Sequence, residues 1–364
     1  MSCKFTILID VYINLFLFKE AIEAIQNQTY ENLEIIISDN GSDSDIKKYI
    51  SSVKSEDKRI KVIRYEENIF SYEDPELKTF VLCNDALRAA EGDYIFYQSY
   101  DDLLANDYVE RMVKLFEENS DCISAAGLPV GIDIKGKLLE DPKERKKNIR
   151  NRYMSGHELA LDHLKGGVKF SSPGTIFSFK REELIRYGGF HRSVELSQLY
   201  GIVPFGQTGF DEEAEFYWRR HEGQLNKELS RMGYCGAKEF YSLIEDFNLK
   251  DRWTIYGKEV ADHIIKGLTK DMGRKSASLA VYNFFNFNFF GAFRSFRDSF
   301  SRIHFWIFFP SELWKNKIHL IFSILRTCGF IFLPIIYLFD KTLPSKVKPN
   351  IVIKLKRFLE ESKK

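Results

Sequence analysis

Cysteine is scarce in this chain and carries no pattern. Its five residues, Cys3, Cys83, Cys122, Cys235 and Cys328, are odd in number and lack CxxC spacing. That argues against a disulfide framework or a thiolate zinc site and points to a reducing compartment. A charge excess of either sign is also missing, because 53 Lys+Arg meet 52 Asp+Glu for a net +1. The balance argues against a bulk nucleic-acid binder. Between Asp10 and Lys19 there is no glycine-rich basic loop, so the phosphate cradle of a nucleotidyltransferase is absent. Internal repeats and low-complexity tracts are lacking. So is an unbroken apolar run of membrane-spanning length. The longest candidate, Thr327–Phe339, has 13 residues, which as a helix cover about 20 Å of a roughly 30 Å hydrocarbon core.

What is present is a 364-residue chain, 44% hydrophobic and 29% charged. It is long enough for two or three domains and too apolar for wholesale disorder. The charges are unevenly placed. From Asp271 onward 16 Lys/Arg face 6 Asp/Glu, and the same stretch holds 16 of the 32 Phe. An acidic body is thus followed by a basic, aromatic end, a combination suited to an anionic membrane surface. The apolar N-terminus is interrupted by Lys4 and Asp10 and reads as a buried strand rather than a signal peptide.

The first 130 residues alternate between two periodicities. Phe5–Ile9, Leu33–Ile37, Ile60–Tyr65 and Asp93–Tyr97 are short apolar runs of strand type. Lys19–Gln28, Asp43–Val53, Leu77–Ala90 and Tyr108–Glu118 have helical spacing, and Cys122–Ile134 reads as extended. This order predicts an α/β fold with a mostly parallel sheet and helices on both faces. Ligands of such sheets sit beyond the carboxyl ends of the strands. The segments there are Asp10–Tyr12, Ser38–Ser42 and Ser99–Asp102. The adjacent carboxylates Asp101 and Asp102 could hold Mg²⁺ or Mn²⁺ against a diphosphate, although an isolated Asp-Asp pair is more often a turn or a helix cap. Residues 135–155 are basic and read as a solvated loop, with an acceptor-binding or anionic-surface loop as the minor alternative.

Four motifs in order carry a family resemblance: Gln28–Tyr30 (QTY), Leu33–Ser42 (LEIIISDNGS), Gly92–Ile95 (GDYI) and Asp101-Asp102. Together they resemble the inverting family 2 glycosyltransferases of the GT-A fold, over about residues 4–235. The resemblance implies that Tyr12 flanks the base and that Asp39 accepts the uracil imide proton. It implies that Asp101 binds the metal with Asp102 beside it, and that Mn²⁺ or Mg²⁺ is the cofactor. Lys78, ahead of the helix supporting the nucleotide, is a candidate phosphate contact. Two positions depart from the family pattern. Asp10, at the strand end where Pro or Thr is usual, is still counted with Tyr12, Asp39, Lys78 and Asp101 among the nucleotide-binding residues, and Ser99 replaces the first carboxylate of Asp-x-Asp. Ser is a poorer metal ligand, so affinity for the cation without nucleotide should be low.

Phe170–Leu184 followed by Gly188–Phe190 (GGF) continues the resemblance, with His191 in place of the usual Asp. Tyr217–Asn226 (YWRRHEGQLN) resembles a later segment whose Arg and His approach the diphosphate and metal. Arg219, Arg220 and His221 are its candidates, because the guanidinium fork suits phosphate oxygens. The family's general base is an acidic residue on a helix. Counting back 25 residues from Arg220 lands on Glu195, with Gly206 eleven residues further on. Glu195 is therefore preferred, and Glu213, within Phe210–Glu215, is the alternative. The plain alternative for either is a solvated helix face.

Beyond the catalytic domain expected at 1–235, residues 236–364 read as a helical, basic-aromatic, membrane-associated region. Ile318–Phe339 is interrupted by His319, Arg326 and Pro334 and suits an interfacial or re-entrant helix better than a span. The expectation is an inverting transferase moving a sugar from a UDP-sugar to a saccharide or polyprenyl-linked glycan acceptor in bacterial surface-polysaccharide synthesis. It would sit peripherally or monotopically on the cytoplasmic face of the inner membrane, without nucleic acid. The alternative is a non-catalytic, nucleotide-sugar-binding assembly subunit.

Overall fold

A computed structural model describes residues 2–139, 152–165, 177–192, 194–234, 236–245, 247–285, 288–299, 307–309 and 312. The first half follows the predicted alternation: β1 (Phe5–Val11), α1 (Leu15–Gln26), β2 (Leu33–Asn40), α2 (Ser44–Glu56), β3 (Ile60–Tyr65), α3 (Pro75–Ala89) and β4 (Tyr94–Ser99). A two-residue strand β5 (Leu103–Leu104), α4 (Tyr108–Glu118) and β6 (Cys122–Ile132) follow. Next come β7 (Tyr153–Ser155), α5 (Gly156–Leu164), β8 (Phe177–Lys180), α6 (Arg181–Arg186), α7 (Val194–Gly201) and β9 (Gln207–Arg219). Helices α8 (Leu225–Arg231), α9 (Ala237–Glu245), α10 (Leu249–Trp253), α11 (Lys258–Phe285) and α12 (Phe289–Ser299) close the described chain.

The strands form one sheet in the order β3-β2-β1-β4-β8-β6-β9-β5, with β7 also on β9. The four from β3 to β4 are parallel. β8 runs antiparallel between β4 and β6, so the sheet is mixed. Alternate residues of each parallel strand face opposite layers. Ile7, Ile9, Ile35, Ile37 and Phe96 share a cluster with Phe18, Ile22, Ile46 and Met112 of α1, α2 and α4. Leu8, Ile36, Ile95 and Tyr97 share the other with Cys83 and Leu87 of α3. That second cluster also holds Phe240, Trp253, Ile264 and Leu268, so the core continues through the boundary expected at 235. Each such side chain contributes about 1.5–3 kcal/mol on burial.

Local chemistry explains the element ends. Asp43 caps α2, its Oδ1 accepting from the backbone of Asp45 and Ile46 at 2.9 Å each. Pro75 opens α3, where a missing N–H does no harm. At the amino end of the sheet Thr6 donates to Glu34 at 2.6 Å, and the backbone N–H of Gly92 donates to Thr6 at 3.0 Å. A Cβ on Gly92 would lie 2.3 Å from that hydroxyl.

Among the described residues no helix is long and apolar enough to cross a membrane. The aromatic region is helical as expected over α11 and α12. Ile318–Phe339 lies outside the described residues, as do the lysines beyond it.

Candidate active site

The carboxyl ends of β1, β2 and β4 lie side by side, pairing Val11 with Asp39 and Asp10 with Ser99. Asp39 is fully buried, at 0% exposure. Its Oδ1 accepts from the Ser42 backbone at 3.0 Å and from the Ser42 hydroxyl at 2.6 Å. The turn that allows this needs Gly41, which has φ 67° and whose Cβ would sit 2.5 Å from the Glu67 carbonyl carbon. The other oxygen, Oδ2, has no hydrogen-bond partner. The nearest cation is Arg64 on β3, with NH1 at 3.9 Å. A buried carboxylate oxygen without a donor is costly and suits a ligand N–H. Tyr12, in the loop after β1, is exposed beside this strand end.

Asp10 and Lys78 were both expected to meet the nucleotide, but they meet each other. Lys78 Nζ lies 2.6 Å from Asp10 Oδ2, and the Tyr97 hydroxyl donates to Asp10 Oδ1 at 2.7 Å. Burial pulls the ammonium pKa down, and the Asp10 charge more than offsets this, so it ends above its ordinary value. The reason is electrostatic: a carboxylate buried at a strand end requires a cation, and α3 supplies it.

Asp101 and His221 come together from opposite halves of the chain. His221 Nε2 is 3.1 Å from Asp101 Oδ2, and Ser99 donates to Oδ1 at 2.6 Å. Burial works against the Asp101 charge. The hydrogen bonds from His221 and Ser99 outweigh it and hold the carboxyl below the usual carboxylate range. Asp102 is different. It is buried, and its Oδ1 accepts from the backbone of Arg219 at 3.0 Å. Burial and the neighbouring Asp101 push its carboxyl well above the ordinary value. Through Oδ1 Asp102 ties the Asp101–Asp102 turn to β9, a bracing contact that the expected ligand role did not include.

Arg219 also departs from expectation. It is fully buried, and each arm of its fork has a partner within the protein. Nε donates to the Asp101 carbonyl at 2.8 Å, NH1 to the Ile134 carbonyl at 2.7 Å, and NH2 to Glu20 at 2.8 Å. It holds the Asp101–Asp102 turn rather than a phosphate. Arg220 is exposed, its guanidinium 4.4 Å from the Trp218 ring centroid. Nothing in the sequence marked Glu20 or the Ile134 carbonyl as partners. The apposition of β9 and β5, through Leu103–Tyr217 pairing, creates these contacts.

The two candidate bases are placed differently. Glu195 is in the first turn of α7, as a helical base requires, and its side chain lies outside the described residues. The helix is followed by Gly206, where a Cβ would lie 2.6 Å from Ile123. Glu213 is exposed on a strand rather than a helix, near a register shift against β6. Six positions before Arg219, it is roughly 20 Å along the strand from the His221 end.

A metal at this site would find Asp101 and His221 as adjoining donors, with Ser99 behind them. Among the described residues no group of three His, Cys, Asp or Glu side chains is arranged to hold one. Two protein donors plus diphosphate oxygens fit a hard cation that binds together with its nucleotide.

Residues 6–186 match the family model described as glycosyl transferase family 2. The chain belongs to that family. The matched region contains Asp39 and Asp101 and stops before Glu195, Arg219 and His221. An uncharacterized glycosyltransferase of Rickettsia felis is 34% identical over 137 residues, which is 38% of this chain and 21% of the relative. This family 2 chain thus spans about a fifth of the length of the first curated relatives it matches. A GalNAc(5)-diNAcBac-PP-undecaprenol beta-1,3-glucosyltransferase of Campylobacter jejuni is 26% identical over 164 residues, covering 43% of this chain and 51% of that protein. Among solved structures, S. aureus TarS 1-349 in complex with UDP-GlcNAc aligns with TM-score 0.48 and 11% identity, over 82% of this chain and 91% of that one.

Proposed function

We propose that this chain is an inverting glycosyltransferase that moves a sugar from a UDP-sugar to a saccharide acceptor carried on a lipid. The observation that carries the reading is Asp39 Oδ2, a fully buried acceptor without a donor at the end of β2. A carboxylate there accepts from the N3–H of uracil and rejects cytosine, whose N3 is itself an acceptor. Tyr12 borders the same strand end and offers a ring face to the base.

Asp101 and His221 would hold Mn²⁺ or Mg²⁺, and the cation would neutralise charge on the leaving diphosphate. Arg219 keeps the Asp101 turn in place, and Arg220 is the exposed arginine beside it. Glu195 takes the proton from the attacking acceptor hydroxyl. In-line displacement then breaks the bond between the anomeric carbon and the diphosphate and forms the new glycosidic bond with inversion. The catalytic residues all lie within 1–235, the helices up to Leu268 share its core, and the basic, aromatic sequence from Asp271 onward is the part set against the membrane.

A lipid-linked acceptor is supported by the basic, Phe-rich end of the sequence. It is supported also by the undecaprenol-linked glycan named for the Campylobacter relative. The setting is bacterial surface-polysaccharide assembly at the cytoplasmic face of the inner membrane. A non-catalytic nucleotide-sugar-binding subunit is the second reading, favoured by Ser99 in place of a carboxylate ligand.

The test is thermal stability with UDP, TDP, GDP and CDP, each with and without Mn²⁺. UDP with Mn²⁺ should raise the melting point most, since ligand at 100 times its dissociation constant adds about 2.7 kcal/mol. No shift with any nucleotide would sink the donor assignment. UDP-sugar turnover that disappears in Glu195→Gln excludes the non-catalytic reading, and binding without turnover in the native chain favours it.

A further inference from the structure

We propose that the hairpin tip Ile134–Leu139 is a lipid-contacting rim that seats the site on an anionic bilayer surface. The proposal rests on the lipid-linked acceptor reading above and gives it a location distinct from the C-terminal region.

The tip is built to hold its shape in water. Beyond β6 the Asp133 carboxylate accepts from the backbone of Lys135 and Lys137 at 2.9 Å each. Asp133 donates its own N–H to the Lys137 carbonyl at 2.8 Å, and Leu139 donates to Gly131 at 2.9 Å. Gly136 takes φ 81° at the turn. This ordered tip nevertheless presents aliphatic side chains outward. Ile134 is 41% exposed, Leu138 47% and Leu139 51%. Lys135 and Lys137 between them are exposed as well. Single exposed apolar residues are ordinary, but three within six positions of a hydrogen-bonded hairpin are not.

The tip is fixed to the site. Arg219 bridges the Ile134 carbonyl to Glu20 of α1 and to the Asp101 carbonyl. Arg219 thus ties the base of the tip, through the Ile134 carbonyl, to the turn that carries Asp101.

Charge selects the occupant. Aliphatic side chains interleaved with lysines on a projecting turn match a headgroup layer, where the former enter the acyl boundary and the ammonium groups meet phosphates. The sequence that follows, to Arg152, has six more Lys/Arg against three Asp/Glu. A flat protein partner would be met by a flat apolar patch, which a six-residue turn does not provide.

The experiment is hydrogen exchange on the full chain with phosphatidylethanolamine/phosphatidylglycerol vesicles, with phosphatidylcholine vesicles, and with inorganic phosphate alone. Peptides covering 131–139 should gain protection with the anionic vesicles only. The pairs Leu138→Ser/Leu139→Ser and Lys135→Gln/Lys137→Gln should each lower vesicle partitioning about tenfold, with unchanged melting point and unchanged stabilisation by UDP. Vesicle binding that leaves 131–139 unprotected places the contact elsewhere and overturns the proposal. So does protection by neutral vesicles or by phosphate alone, or wild-type partitioning of both variants. Loss of UDP stabilisation in every form would count against the donor reading and leave the vesicle result standing.

Discussion

Lys78 Nζ and Asp10 Oδ2 are 2.6 Å apart and enclosed beneath the strand ends. The pair has a defined energetic signature. Removing one member leaves an uncompensated buried charge, so Lys78→Met or Asp10→Asn should each lose about 3–5 kcal/mol. The double variant should recover most of that loss, because both charges leave together. Urea unfolding of the four forms measures the coupling. Additive losses would mean that the two groups act independently.

Asp39→Asn keeps an acceptor for Ser42 and replaces the donor-free oxygen with an amide N–H. UDP affinity should fall about 10–100-fold, the range for losing a hydrogen bond to a charged group. CDP, whose base offers an acceptor at N3, should gain relative to UDP. Calorimetric titration with both nucleotides reads the exchange, and an unchanged preference would separate Asp39 from base recognition.

Arg219→Lys retains a charge but cannot reach three partners in the directions that the guanidinium holds. Stability should fall by about 2 kcal/mol or more. The Mn²⁺ concentration needed for half-maximal UDP binding should rise, because the Asp101 turn loosens. A stability loss without any change in the Mn²⁺ requirement would reduce Arg219 to a purely structural residue.

Asp57, at the end of α2, supports a pH prediction away from the site. Two-pronged hydrogen bonding from Arg59 lowers its carboxyl to about 2, against the opposing effect of burial. A carboxyl lowered on folding stabilises the protein above its unfolded pKa near 3.8, and that stability is lost as pH falls through about 2. The contribution should be about 1–2 kcal/mol at neutral pH, because the partner is partly exposed. Asp57→Asn should remove it at neutral pH and flatten the stability profile between about pH 2 and 5. An unchanged profile would mean that the pair is solvated in solution.

Much of the sheet was legible in the sequence because its parallel strands are six to eight residues long and each contains a run of Ile, Leu, Val or aromatic residues. The turn after β2 was legible through Asp-Asn-Gly-Ser, whose chemistry is local. Strands β5, β7 and β8, of two to four residues, are too short for periodicity to register. Long-range pairing was also hidden. Glu20 and Arg219 are 199 positions apart, and no local pattern distinguishes an arginine that braces a turn from one that faces a phosphate. Asp10 was recognised as a departure from the family text. Its partner Lys78 was read on its own, so the ion pair that accounts for both was missed. Glu213 was misplaced for a related reason: its acidic run looks like a helix face until pairing with β6 makes it a strand.

His221 reaches Asp101 across 120 positions of sequence, whereas Asp39 and Ser42 are three apart. The two sides of the site therefore depend on very different stretches of chain. The Asp39–Ser42 turn is closed by contacts local to the end of β2, whereas the Asp101–His221 pair exists only when β9 is docked against β5. If the proposed roles hold, a chain with β9 loosened would keep the Asp39 turn and lose the cation side of the site. Nucleotide with metal would then favour the fully docked β9 state, so that the donor itself helps to complete the site it occupies.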